Sequence, residues 1–78
     1  MLAREDLQPW IIDALKALGG KGDVVKIARH IWEHHETELR ASGDLFFKWQ
    51  YEMRWAGQNL SREGKLLKTR NSEGWILI

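Results

Sequence analysis

Leu66-Leu67-Lys68-Thr69-Arg70-Asn71-Ser72-Glu73-Gly74-Trp75-Ile76-Leu77-Ile78 closes the chain, and its reading decides the fold. Two short apolar-rich runs, Leu66–Arg70 and Trp75–Ile78, flank Asn71-Ser72-Glu73-Gly74, four residues of turn-forming type. That pattern predicts a β-hairpin. Two strands alone are marginal in water, so the hairpin must lie against something else. Everything before it has a helical period instead.

Working back from the hairpin, Phe46, Trp49, Met53, Ala56, Gly57 and Leu60 keep helical spacing and predict a helix from about Leu45 to Glu63, opened by Asp44 and ended by Gly64. Arg40-Ala41-Ser42-Gly43 reads as a connector. Before it, Val24, Ile27, Ala28, Ile31 and Trp32 form the apolar face of a second helix capped by Asp23 and running to about Leu39, with Arg29 and Glu33 spaced to pair outside. Gly20-Lys21-Gly22 reads as a link. The first helix carries the stripe Leu7, Trp10, Ile11, Ala14, Leu15, Leu18, with Asp6 as its expected cap, Pro9 in the first turn and Gly19-Gly20 as its stop. Helix, helix, helix, hairpin predicts a single domain over 1–78, mainly α with a small β-hairpin: a winged helix-turn-helix of three helices plus wing.

Seventy-eight residues allow one core, and a chain of this size buries roughly 60% of its unfolded surface. A hydrophobic content of 44% with five Trp argues against disorder. The absence of Cys removes disulfides, thiolate zinc sites and a cysteine nucleophile. No apolar run is long enough to cross a membrane, and the charged N-terminus lacks a secretory h-region, so a cytoplasmic location is expected.

The net charge of +1 conceals an asymmetry. Residues 1–47 sum to −2, whereas residues 48–70 hold Lys48, Arg54, Arg62, Lys65, Lys68 and Arg70 against only Glu52 and Glu63. Positive charge gathered on the third helix and the hairpin's first strand is the electrostatic footprint of a nucleic-acid binder.

The segments Ala14-Leu15-Lys16-Ala17-Leu18-Gly19-Gly20, Trp49 to Leu60 with Arg54-Trp55-Ala56 at its centre, Gly64-Lys65-Leu66-Leu67 and Gly74-Trp75-Ile76-Leu77 together resemble the winged-helix domain at the N-terminus of Mrr-type restriction proteins. The similarity runs from about Leu7 to Ile78. It implies a DNA-binding domain of the kind usually joined to a nuclease domain, here without one. The chain departs from that pattern at the wing tip, where Asn71-Ser72-Glu73 stands in place of basic residues. It departs again at Gly57, which implies close packing against a neighbouring helix or a softer recognition helix.

In helix-turn-helix docking the recognition helix enters the major groove. With the apolar stripe turned inward, Lys48, Gln50, Tyr51, Arg54, Gln58 and Arg62 point outward, and their chemistry suits the task. Arg forks onto guanine, Gln pairs with adenine, and Lys neutralises phosphate. Lys65, Lys68 and Arg70 begin the wing and are placed for phosphate rather than bases. Double-stranded DNA is therefore the expected partner, in transcriptional regulation or as the targeting module of a restriction-type system. The alternative is a winged-helix module for protein interaction or homodimerisation, since the fold hosts both roles.

Trp55 lies off the stripe; it either covers the base of the wing near Trp75, the expected placement, or marks a partner surface. His30 and His34, at i, i+4, and His35 invite a metal reading. However, His35-Glu36-Thr37-Glu38-Leu39 departs from HExxH at its last position and no third ligand is specified. No metal or other cofactor is expected. Nor is catalysis: no nucleophile–base arrangement is signalled, and Gly64-Lys65 lacks the rest of a P-loop. His35, near the apolar stripe of the second helix, is expected to be partly buried.

Overall fold

The structure, a computed structural model, describes residues 4–69 and 74–78. It contains α1 (Leu7–Ala17), β1 (Lys21–Gly22), α2 (Val24–Arg40), α3 (Trp49–Arg62), β2 (Leu66–Lys68) and β3 (Trp75–Leu77). Single 3-10 turns lie at Arg4–Asp6 and Gly43–Phe47. Three helices and a small antiparallel sheet make the mainly helical winged-helix arrangement that the order of elements predicts.

The helix faces follow the periodicity. Leu7, Ile11, Ala14 and Leu15 of α1, Ile27, Ile31 and Leu39 of α2, and Trp49, Met53, Ala56 and Leu60 of α3 share one core with Leu45, Leu66 and Trp75. Asp23 caps α2 as expected, its carboxylate accepting from the Lys26 N–H at 2.8 Å. His35 is half-buried and lies flat on the Trp10 ring, centroids 3.7 Å apart, where the α2 backbone leaves helical geometry. Among the described residues no helix is long and apolar enough to cross a membrane.

Four expectations need correction. Asp6 makes no side-chain cap on α1, because residues 4–6 already turn in 3-10 geometry and bring Asp6 in helical. The third helix does not begin near Leu45: Gly43–Phe47 form a 3-10 turn, Lys48 breaks the path at φ −136°, and α3 starts at Trp49 with no cap from Asp44. The break is tertiary in origin. It seats Leu45 in the core and lays Phe46 near Trp32 of α2, which also stacks with Trp49 at 6.2 Å.

The wing, third, is not a lone hairpin. Lys21–Gly22, read as a link, forms an edge strand in the order β1-β3-β2, with Gly22 opposite Trp75 and Lys68 opposite Trp75 from the other side. Fourth, Gly57 does pack closely, but against the wing rather than a helix: a Cβ there would collide with the ring of Trp75, which is 3% exposed. Gly74, at φ +74°, has the Gly22 carbonyl and Asp23 Cα where its own Cβ would be, so only glycine allows β1 and β3 to meet at that end. Arg70 and the wing tip Asn71-Ser72-Glu73 lie outside the described residues.

Candidate nucleic-acid interface

The outward face of α3 is built from two rows. Gln50, Arg54, Gln58 and Arg62 follow one another at four-residue intervals, a spacing that keeps side chains on one slowly winding ridge. Gln50, Arg54 and Arg62 are exposed and Gln58 is half-buried. Beside them runs an aromatic row: Phe47, just before the helix, is 85% exposed, Tyr51 60% and Trp55 41%.

Charge on this face is less compensated than the sequence count implies, because both acidic residues of the basic segment are already engaged. Glu52 is buried and bonded to the Arg4 guanidinium, which raises the Arg4 pKa above its ordinary value. Glu63 pairs with Lys65 at 3.2 Å. Among the described residues, Lys48, Arg54, Arg62 and Lys68 have no ion-pair partner. Lys68 instead lies 5.0 Å from the centre of the Trp75 ring and donates to the Gln58 side-chain carbonyl at 3.4 Å. That bond ties the wing's first strand to the outward face of α3 and leaves the Gln58 amide NH2 without that partner.

Glu52 is the site-shaping residue that the sequence reading missed. Its signal was present, since it falls three after Trp49 and one before Met53, an acid on the apolar stripe. An acid there demands a cation, and Arg4 supplies it across 48 residues of chain.

Two shallow hollows open on the face. One, of about 350 Å³, is lined by Arg54, Trp55, Gln58, Arg62 and Lys68. The other, of about 340 Å³, is lined by Phe46, Phe47, Lys48, Trp49, Gln50 and Tyr51. The structure thus brings eight of the nine candidate residues into description, and all but Lys65 line these hollows; Arg70 is the ninth. Trp55 does not cover the wing beside Trp75, the placement expected of it. Its ring meets Tyr51 edge-on at 6.4 Å, with the Arg4 guanidinium 5.9 Å from its centre, because Gly57 and Trp75 already close the helix–wing seam. A larger apolar groove of about 560 Å³ separates α2 from α3, walled by Val24, Ala28, Trp32, Phe46 and Met53 and rimmed by Arg29 and Arg54.

The histidines sit elsewhere. His30 and His34 stack at 4.0 Å, and among the described residues no three His, Cys, Asp or Glu side chains gather to hold a metal. His30 Nδ1 is buried without a hydrogen-bond partner. Burial, followed by the nearby His34, lowers the His30 pKa below its ordinary 6.5. The unfolded chain therefore takes up a proton near pH 6.5 that the folded one resists. The stability associated with neutral His30 is complete above that pH and is lost as pH falls toward the depressed folded value. Melting temperatures followed by circular dichroism from pH 7 to pH 5 should fall, and fall less in His30→Leu than in the parent.

Compared with protein-family models, with curated proteins and with solved structures, the chain finds no match in any of the three.

Proposed function

We propose that the protein binds double-stranded DNA, presenting the outward face of α3 to the major groove and the first strand of the wing to the backbone. The observation that carries this reading is the ridge Gln50, Arg54, Gln58, Arg62, exposed except at half-buried Gln58, where Lys68 joins it, and without a neighbouring free carboxylate. Amides and guanidinium groups on one ridge are the side chains that read adenine and guanine edges. A helix of 14 residues, about 21 Å long, spans the groove with room for flanking phosphate contacts. In this role Arg54 and Gln50 read bases, while Arg62, Lys68 and Lys48 hold phosphates. The resemblance to the N-terminal domains of Mrr-type restriction proteins points the same way, toward a targeting or regulatory module rather than an enzyme.

Fluorescence anisotropy with a labelled duplex over a salt series tests it. With about six phosphate contacts the log–log slope should lie near −5. Lys68→Ala should weaken all duplexes alike and reduce that slope by about 1. Binding that is absent, or indifferent to salt, excludes the proposal.

A second reading is favoured by the exposed Phe47 and Trp55, which duplex recognition does not require: a protein-interaction face, between copies of the chain or toward an effector such as a nuclease domain. A mass in light scattering that grows with concentration, together with no salt-dependent DNA binding, selects it over the first.

A further inference from the structure

The two hollows on α3 repeat one chemical composition. Each combines an exposed aromatic face, at least one cation and a primary amide: Trp55 with Arg62 and Gln58 in one, Phe47 and Tyr51 with Lys48 and Gln50 in the other. These are the three groups a nucleotide engages, through its π-face, its phosphate and its base edge. Duplex DNA hides the faces of its bases in the stack and offers only edges and backbone, so the ring faces of the aromatic row have no counterpart there.

We infer that the same face also takes unpaired nucleotides, with bases of a single DNA strand laid against Trp55 and against Tyr51 or Phe47, and its backbone held by Arg54, Arg62 and Lys68. The inference builds on the proposal that this face binds DNA and adds the substrate class that its aromatics recognise. Spacing supports it. Tyr51 and Trp55 are four residues apart, about 6 Å along the helix axis. Stacked bases of one strand rise about 3.4 Å, so neighbouring aromatics suit a strand opened from its stack. The two rings stand at 71° to each other, so each receives a separate base rather than extending one continuous column. Both lie at the surface, and no described carboxylate lines either hollow to repel the phosphates.

The test is anisotropy with three labelled ligands: an oligothymidylate of about twelve residues, a blunt duplex, and that duplex with a short single-stranded overhang. The parent protein should bind the single strand, and bind the overhang duplex more tightly than the blunt one. Trp55→Ala and Phe47→Ala should each weaken the single strand by about 5- to 100-fold while changing blunt-duplex affinity by less than about twofold. Trp55→Phe, which keeps a π-face, should restore most of the loss, and circular dichroism should show all three variants folded. Single-strand binding that is absent, or a loss equal on both ligands, overturns the inference while leaving the duplex proposal standing. Single-strand binding with no duplex binding does the reverse, and binding of neither ends both.

Discussion

Replacing Gly57 by leucine is expected to destabilise the fold by about 3 kcal/mol, through overpacking of the helix–wing seam. A side chain at this position enters space held by the Trp75 ring, which sits almost fully buried between α3 and the sheet. The ring is rigid, so it can yield only by leaving its site, and the burial of a large aromatic goes with it. A domain of this length has a total stability of about 4–12 kcal/mol, so the loss is a large fraction of the whole. Alanine at the same position is the sharper discriminator. Helix propensity alone favours Ala over Gly by about 1 kcal/mol, whereas the close approach of Trp75 predicts a net loss. Urea unfolding followed by far-ultraviolet circular dichroism measures both, and a stabilised Gly57→Ala variant would show that the seam is not packed in this way. In a double-mutant cycle, Gly57→Leu with Trp75→Ala should cost less than the two changes summed, because the collision exists only while both side chains are present.

The second large effect concerns binding. The pair Arg54→Glu and Arg62→Glu should reduce duplex affinity by about 100- to 1,000-fold at moderate salt while leaving the unfolding midpoint nearly unchanged. Both side chains are exposed, and neither has an ion-pair partner among the described residues, so the fold does not depend on them. Each reversal removes a contact worth about 1–3 kcal/mol and adds repulsion toward phosphate. The salt slope should shrink along with the affinity, because fewer counterions are released. Lys16→Glu on the exposed side of α1 makes the same kind of charge change away from the two hollows and serves as the control. If Lys16→Glu weakens binding as strongly as either arginine reversal, attraction is a matter of net charge and α3 has no special part in it.

How much of this was legible beforehand depends on the range of each interaction. The ridge Gln50, Arg54, Gln58, Arg62 could be read because helical period is local: once Trp49, Met53, Ala56 and Leu60 face inward, the four-residue row that starts at Gln50 falls outside the buried stripe. The freedom of those cations from acidic neighbours could not be read, since it rests on Glu52 reaching Arg4 and on Glu63 turning to Lys65. The choice between the two placements of Trp55 is not legible for a similar reason. An aromatic off the stripe suggests a partner on the wing, but that seam is filled by Trp75 lying against Gly57.

By itself the sequence determined three amphipathic helices, the Asp23 cap, a closing hairpin and a basic third segment, because each is set by contacts within a few residues along the chain. Tertiary structure alone decided that Lys21–Gly22 becomes a strand. Two residues carry no periodicity of their own, and they pair only because β3 presents an open edge and Gly74 lets the backbones approach. It also decided that the third helix starts at Trp49 rather than Leu45. The apolar spacing runs unbroken across Lys48, and the break is imposed from outside by the packing of Leu45 in the core and of Phe46 beside Trp32. That break leaves Phe47 on the surface in line with Tyr51 and Trp55, so the aromatic half of the candidate interface is a product of the fold, whereas its basic half is a product of the period.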